Sequence, residues 1–251
     1  MSVRRLFSKE PLGRSGEVMS LDPSESHHGA HVLRLRPGDG VWVFDARGRQ
    51  FEATVESGTG DRLRLRLGAP TSPAPETRMP LALYLALVKG GAFESALQRA
   101  VELGAREIVP VITRRSVPQA PAGEDLADKM ARWRQVLLSA TKQCGRARLT
   151  DLAPPCAFEA AIGGLSGETI GFCCVADPEA PRLSERLRAV DFQAYRSVAV
   201  LIGPEGGLEP EEIAHARRCG WETVHLGPRI LRVETAVASA LTLILAALGE
   251  T

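Results

Sequence analysis

The chain has 251 residues, 44% hydrophobic and 24% charged, with 31 Lys and Arg against 30 Asp and Glu. Such a composition excludes disordered, collagen-like and low-complexity classes, and the length predicts one larger and one smaller domain. Five cysteines (Cys144, Cys156, Cys173, Cys174 and Cys219) without a C-x-x-C pair support neither a disulfide framework nor a zinc site, so a reducing cytoplasm is expected.

No basic segment followed by an apolar stretch opens the chain, so no secretory signal is expected. The first seventy or so residues read as mostly β. Asp22-Pro23-Ser24-Glu25 has the cap-then-proline form of a helix start leading into His27–Leu33. Val41–Phe44 and Gln50–Val55 flank the turn-rich Asp45–Gly48, which predicts a hairpin. Arg62–Leu67 alternates strictly, with leucines on one face and Arg62, Arg64 and Arg66 on the other. Short strands with Gly and Pro punctuation suggest a small barrel. Thr71–Thr77, rich in proline and without periodicity, marks the predicted domain boundary.

Beyond it the texture changes. Leu81–Val88 is a continuous apolar run ending at Lys89-Gly90-Gly91, as expected of a strand buried on both faces. Phe93, Leu97, Ala100 and Val101 follow at helical spacing up to Gly104. Ile108–Ile112 predicts another strand, and Leu126, Met130, Trp133, Leu137 and Ala140 a long amphipathic helix ending near Cys144-Gly145. Ile170–Val175 and Ser197–Ile202 are further strands, and Leu208–Arg218 a helix before Thr223–Leu226. Ala236–Leu248 carries Ser239 and Thr242 and is too short to span a bilayer, so it reads as a buried helix and no membrane partner is expected. The alternation predicts an α/β domain with a mostly parallel sheet.

The near-zero net charge hides an asymmetry. Residues 78–148 hold twelve Lys and Arg against six Asp and Glu, and residues 149–251 eight against fourteen. A basic middle offers a face to a polyanion, although solvated helix faces give the same count.

In open parallel sheets, ligands bind beyond the carboxyl ends of the strands. Four loops leave such ends: Lys89–Gly91, Ala176–Pro178, Gly203–Gly207 and Gly227–Arg232. Gly203–Gly207 packs three glycines and a proline into five positions, which lets a ligand approach the backbone or simply makes a tight turn. No Gly-Lys-Ser/Thr continuation or G-x-G-x-x-G spacing is present, and Glu205 would repel a phosphate. A carboxylate beside exposed amides better suits a neutral or cationic ligand such as a sulfonium. In Leu226–Ala236 (LGPRILRVETA), Arg232 and Glu234 sit at the mouth of an apolar helix, either as a structural clasp or with Arg232 facing a substrate anion. His27 and His31 are i, i+4 on a helix, but no Cys or carboxylate completes a ligand set, so no metal is expected.

Taken as a pair, Leu201–Gly207 (LIGPEGG) and LGPRILRVETA resemble the C-terminal motifs of the RsmE family, the ribosomal RNA uracil-N3 methyltransferases of the SPOUT class. Earlier segments agree in order: His27-His28 with Val32-Leu33-Arg34 and Gly38-Asp39, then Lys89-Gly90, Gln98–Gly104, and Gln143–Arg146. Val233 stands where the family more often has Thr, and Leu149-Thr150-Asp151 lacks a usual proline. The resemblance implies a PUA-like β-barrel RNA-binding domain over residues 1–72. It implies a SPOUT methyltransferase domain with a C-terminal trefoil knot over 78–251. It further implies S-adenosylmethionine as methyl donor, 16S ribosomal RNA within the 30S subunit as substrate, and a homodimer in the cytoplasm. The cofactor is expected against Leu201, Ile202, Gly203, Glu205, Gly206, Leu226, Gly227, Ile230 and Leu231. Arg232 is expected to stabilise the developing uracil anion, with Glu234 orienting it; Glu234 or a water takes the proton. His28, Arg34, Arg36, Lys89 and Arg146 are expected to contact RNA, as are Arg62, Arg64 and Arg66. The alternatives are a SPOUT enzyme acting on a ribose 2′-hydroxyl and a non-catalytic RNA-binding assembly factor.

Overall fold

The computed structural model describes residues 4–59, 62–116 and 123–250. The chain divides into two compact units, one made of residues up to Glu76 together with Leu138–Leu149, the other of Thr77–Leu137 and Thr150 onward.

The first unit is built on a five-stranded sheet. In chain order its strands are β1 (Arg5–Ser8), β2 (Val18–Ser20), β3 (Gly40–Asp45), β4 (Gln50–Thr59) and β5 (Arg62–Thr71); in space the order is β1-β3-β4-β5-β2. β1 runs parallel to β3, and the remaining pairs are antiparallel. The alternation in β5 comes out as expected: Leu63, Leu65 and Leu67 are buried, while Arg62, Arg64 and Arg66 face outward. The leucines join Leu6, Val41, Val43 and Val55 in one apolar core. Asp22 caps the short helix α1 (Pro23–His27) by accepting from the Ser24 and Glu25 amides at 3.0 and 3.2 Å. The helix widens into a π turn over His28–Val32, where the His27 and His31 rings stack with centroids 4.3 Å apart.

Arg5 ties the second pass of the chain into this unit. Its guanidinium donates to the carbonyls of Thr141 (2.9 Å), Lys142 (3.1 Å) and Arg146 (2.8 Å), and to the Gln50 side chain. A cation thereby satisfies carbonyls at and just beyond the C-terminus of a long helix, where they lack partners within the helix. Burial pushes the Arg5 guanidinium down from its ordinary value. Arg146, expected to contact RNA, is instead internal. Its side chain is 4% exposed and forms a fork on the Glu76 carboxylate. A guanidinium committed to a carboxylate in this way does not meet a phosphate.

The second unit is a seven-stranded, wholly parallel sheet: β6 (Leu81–Ala86), β7 (Glu107–Ile112), β8 (Asp151–Leu152), β9 (Cys156–Ala157), β10 (Thr169–Cys174), β11 (Ser197–Ile202) and β12 (Trp221–Val224). The order is β12-β10-β11-β6-β7-β8, with β9 also on β7. Its helices are α2 (Gly91–Glu102), the part of α3 (Gly123–Cys144) up to Leu137, α4 (Phe158–Ile162), α5 (Leu183–Arg188), α6 (Pro210–Arg218) and α7 (Val233–Ala247). Val109, Val111, Cys173, Ala199 and Leu201 point to one face and pack against α4 and α6 through Phe158, Ile162 and Ala216. Alternate strand residues face the other side, where α7 packs on β11 and against α2 and α5. No helix among the described residues is long and apolar enough to cross a membrane.

Asp45 closes the β3–β4 turn. Its buried carboxylate accepts from the amides of Arg47 (2.9 Å), Arg49 (3.2 Å) and Leu12 (3.1 Å) and from Arg49 Nε (2.9 Å). Burial alone would raise this carboxyl, but the convergent donors outweigh it and hold it below the usual carboxylate range. A depressed folded value stabilises above the unfolded value, about 3.9, and that contribution is lost as pH falls through the folded value. Asp45→Asn turns an acceptor into a donor facing donors, and should destabilise the first unit by about 1–3 kcal/mol at pH 7. Urea unfolding is expected to show this gap narrowing below about pH 4; a gap independent of pH would contradict the account.

Candidate active site

Three strands lie side by side at one end of the parallel sheet, in the order β12-β10-β11. The loops leaving their carboxyl ends converge on one cleft of about 370 Å³. The first runs from Val175 to Arg182 and is stitched to the third: Val175 N donates to Val224 O (2.8 Å), His225 N to Pro181 O (3.0 Å) and Leu183 N to His225 O (3.0 Å). The second, Gly203–Leu208, turns tightly through a Gly207 N–H to Pro204 O bond of 2.8 Å, with Gly207 at φ +71°. A methyl group at Gly203 would lie 3.2 Å from Leu208 Cγ, so the turn folds closely over that buried leucine. The third, Leu226–Arg232, begins at Gly227 with φ +135°, a conformation that favours glycine. His225 Nδ1 sits 3.1 Å from Gly227 N and 3.2 Å from Gly227 O, which pins this bend.

Of the nine residues expected to hold the cofactor, all but Leu201 line this cleft. Leu201 is fully buried and points to the α4–α6 face of the sheet. Ile202, the next residue on β11, takes the opposite face and does reach the cleft. The wall also includes Cys174, Asp177, Arg115, Arg229, Val233 and Ala236. Of these, Asp177 lies in the Ala176–Pro178 loop noted as a strand end, whereas Arg115 had no signal in the sequence. The lining is largely apolar, with the carboxylates of Asp177 and Glu205 in it.

A family model described as an RNA methyltransferase domain matches residues 75–245, and a second, an RNA methyltransferase PUA domain, matches residues 21–68. The chain belongs to this RNA methyltransferase family. Relatives named ribosomal RNA small subunit methyltransferase E are 32% identical in Synechocystis (96% of this chain, 76% of the relative) and 32% identical in Mycobacterium tuberculosis (95% and 90%). The enzyme of that name from Neisseria gonorrhoeae, solved bound to S-adenosyl methionine, superposes with a TM-score of 0.87 at 25% identity, covering 97% of each chain. A Legionella pneumophila protein solved in complex with the same cofactor gives 0.89 at 28% identity, covering 98% of each.

In this methyltransferase, Arg232 is the exposed N-cap residue of α7, and Glu234 stands half-buried in its first turn. The expected Arg232–Glu234 pair is not made; among the described residues neither side chain has a hydrogen-bond or ion-pair partner. Neither residue lines the cleft, which the same chain segment enters through Ile230, Leu231 and Val233. Lys89 is exposed at the end of β6 and also lies outside the cleft wall. In the first unit, Arg34 and Arg36 are exposed, Arg34 with φ +53°, whereas His28 is half-buried. Burial, followed by the nearby Lys142 charge, pushes the His28 imidazole down despite Glu25, so the ring is neutral at pH 7. Arg66 is engaged by Glu56 and by Gly16 O, leaving Arg62 and Arg64 as the outward cations of β5 without an ion-pair partner among the described residues. Among the described residues no group of three or more His, Cys, Asp or Glu is placed to hold a metal ion.

Burial raises the Cys174 thiol at the cleft floor, and pushes its neighbour Cys173 up to about 12. Reaction requires the thiolate. Both residues should therefore resist iodoacetamide at pH 8 in the native protein and alkylate on denaturation, as read by peptide mass spectrometry. Alkylation of native Cys174 at the denatured rate would contradict this description of the cleft floor.

Proposed function

We propose that this methyltransferase transfers a methyl group from S-adenosylmethionine to N3 of one uridine in 16S ribosomal RNA, acting on the 30S subunit in the cytoplasm as a homodimer. The observation that carries the reading is the match, over nearly the whole chain, to relatives named for methylation of small-subunit ribosomal RNA. In this reading residues 1–72 form a PUA-like barrel that binds RNA, and residues 78–251 a SPOUT domain with a trefoil knot. The path of the chain favours the knot. From β12, beyond β10, the chain must pass the loop that left β10 before α7 can reach β11 and α2.

The cleft suits this donor. Its volume lies in the range of small-molecule sites. Ile202, Leu226, Ile230 and Leu231 offer an apolar surface for an adenine, the glycine turns expose backbone amides and carbonyls, and Asp177 and Glu205 favour hydroxyls and a sulfonium. When bound, the cofactor supplies a methyl group already activated on positive sulfur.

The protein then has to align the base and manage one proton. Uracil N3 carries a weakly acidic N–H, and its loss builds negative charge over the ring. Arg232, exposed and without a side-chain partner among the described residues, stabilises that charge at the helix mouth. Glu234, two residues further along in the first turn of α7, accepts the N3 proton directly or through a water. N3 lies on the pairing edge, so the uridine must be unpaired or extruded when it reacts. In the first unit, Arg34, Arg36, Arg62 and Arg64 meet the RNA backbone.

Arg232→Ala is expected to bind S-adenosylmethionine like the wild type by calorimetry, yet to lose about a hundredfold or more in formation of N3-methyluridine on 30S particles. Wild-type turnover would remove Arg232 from the chemistry, and a product methylated on ribose would overturn the target atom. Replacing Arg62 and Arg64 together by Gln should lower RNA affinity and flatten its salt dependence by about 0.7 in log–log slope per lost contact. An unchanged slope would leave both arginines as solvated surface.

A further inference from the structure

The turn that forms the middle wall of the cleft is held by a residue from the turn that follows β7. β7 ends in a compact turn in which Thr113 N donates to Ser116 Oγ (3.0 Å) and Ser116 N to Thr113 O (3.1 Å). From this turn Arg115 reaches the second loop. Its Nε and Nη2 form a fork on the Glu209 carboxylate at 2.8 and 3.1 Å, and its Nη1 donates to the carbonyl of Gly206 at 2.5 Å. The stem of Arg115 runs where a side chain at 206 would stand, since a Cβ there would lie 3.3 Å from Arg115 Cδ. Beside it, the buried Glu212 carboxylate accepts from Arg114 N (2.9 Å) and from Glu209 N (2.8 Å), so the two loops share two carboxylates.

The Gly206 carbonyl and the Gly207 N–H belong to one planar peptide group and point in opposite directions. The carbonyl is bound by Arg115 and the N–H by Pro204 O, so the peptide is fixed at both ends. Two glycines flank it, and without Arg115 nothing in their own conformational preferences opposes its rotation. We propose that Arg115 sets the orientation of the 206–207 peptide, and is thereby a positioning residue for S-adenosylmethionine binding. This rests on the reading of the cleft as the cofactor site. The role is one of shape more than of stability: the Arg115 side chain is 45% exposed, and exposed ion pairs contribute little to folding.

The test uses Arg115→Ala, Arg115→Lys and Glu209→Gln in the full-length protein. In Arg115→Ala the dissociation constant and KM for S-adenosylmethionine should rise roughly tenfold (about 1.4 kcal/mol). Its kcat at saturating cofactor should stay within about twofold and Tm within about 2 °C. Arg115→Lys keeps the charge without the fork and should recover part of the affinity. Combined with Glu209→Gln, the loss should be smaller than the product of the two single losses, because both act through one clamp. Without any cofactor, hydrogen exchange at the Gly207 amide should speed up in Arg115→Ala. Unchanged affinity, a fall in kcat at constant KM, or fully multiplicative effects would overturn the proposal. Faster Gly207 exchange in a protein whose wild type binds no S-adenosylmethionine would overturn the cofactor reading and leave the clamp standing.

Discussion

The order β12-β10-β11 at one end of a wholly parallel sheet is the constraint from which the cleft follows. Parallel strands all release their loops at the same edge, and ligand sites form there because backbone groups at those ends are free to meet a ligand. The chain that leaves β11 has to cross β10 to make β12, and must then come back to set α7 against β11 and α2. Three loops far apart in sequence are thereby pressed together, and the hydrogen bonds among Val175, Pro181, Leu183, Val224 and His225 record how closely they run. Gly207 and Gly227, both at positive φ, let two of these loops bend sharply enough to share one small volume.

The charges of that volume are unevenly matched. Its wall carries apolar side chains and two carboxylates, which favours a ligand that is partly apolar and partly cationic. Of the cations beside it, the exposed Arg229 is part of the wall and Arg232 lies just outside it. A buried cation beside a sulfonium would oppose binding, whereas a cation outside the wall, as Arg232 is, would be free to act on the acceptor in the proposed reaction. Arg115 and Arg229 both line the cleft; the Arg115 charge is matched by Glu209, and Arg229 is exposed to solvent.

Much of this was legible in the residues themselves. β6, β7, β10 and β11 are buried on both faces and so appear as unbroken apolar runs, and α7 as an apolar helix, so their assignment required only local pattern. The alternation of β5 gave its inner and outer faces directly. Short elements that lack a continuous apolar run, such as β1, β2, β8, β9, α4 and α5, carry too little pattern to announce themselves. The misreadings share a cause: a partner distant in sequence. Arg146 looks like a surface cation in a basic turn until Glu76 and Arg5, 70 and 141 residues away, are seen to enclose it. Leu201 shares a motif with cleft residues, but on a strand it and its neighbour Ile202 take opposite faces, and only Ile202 reaches the cleft. The role of Arg115 depends on contacts with Gly206 and Glu209 more than 90 residues away, which no local pattern contains.

The central claim, that the three converging loops are the S-adenosylmethionine site, is tested most directly by hydrogen exchange with and without the cofactor. Cofactor-induced protection is predicted in segments 175–183, 202–209 and 225–232, with little change at the opposite edge of the sheet around residues 80–84 and 164–169. Protection centred on that opposite edge, or no protection in any of the three loops at saturating cofactor, would contradict the account.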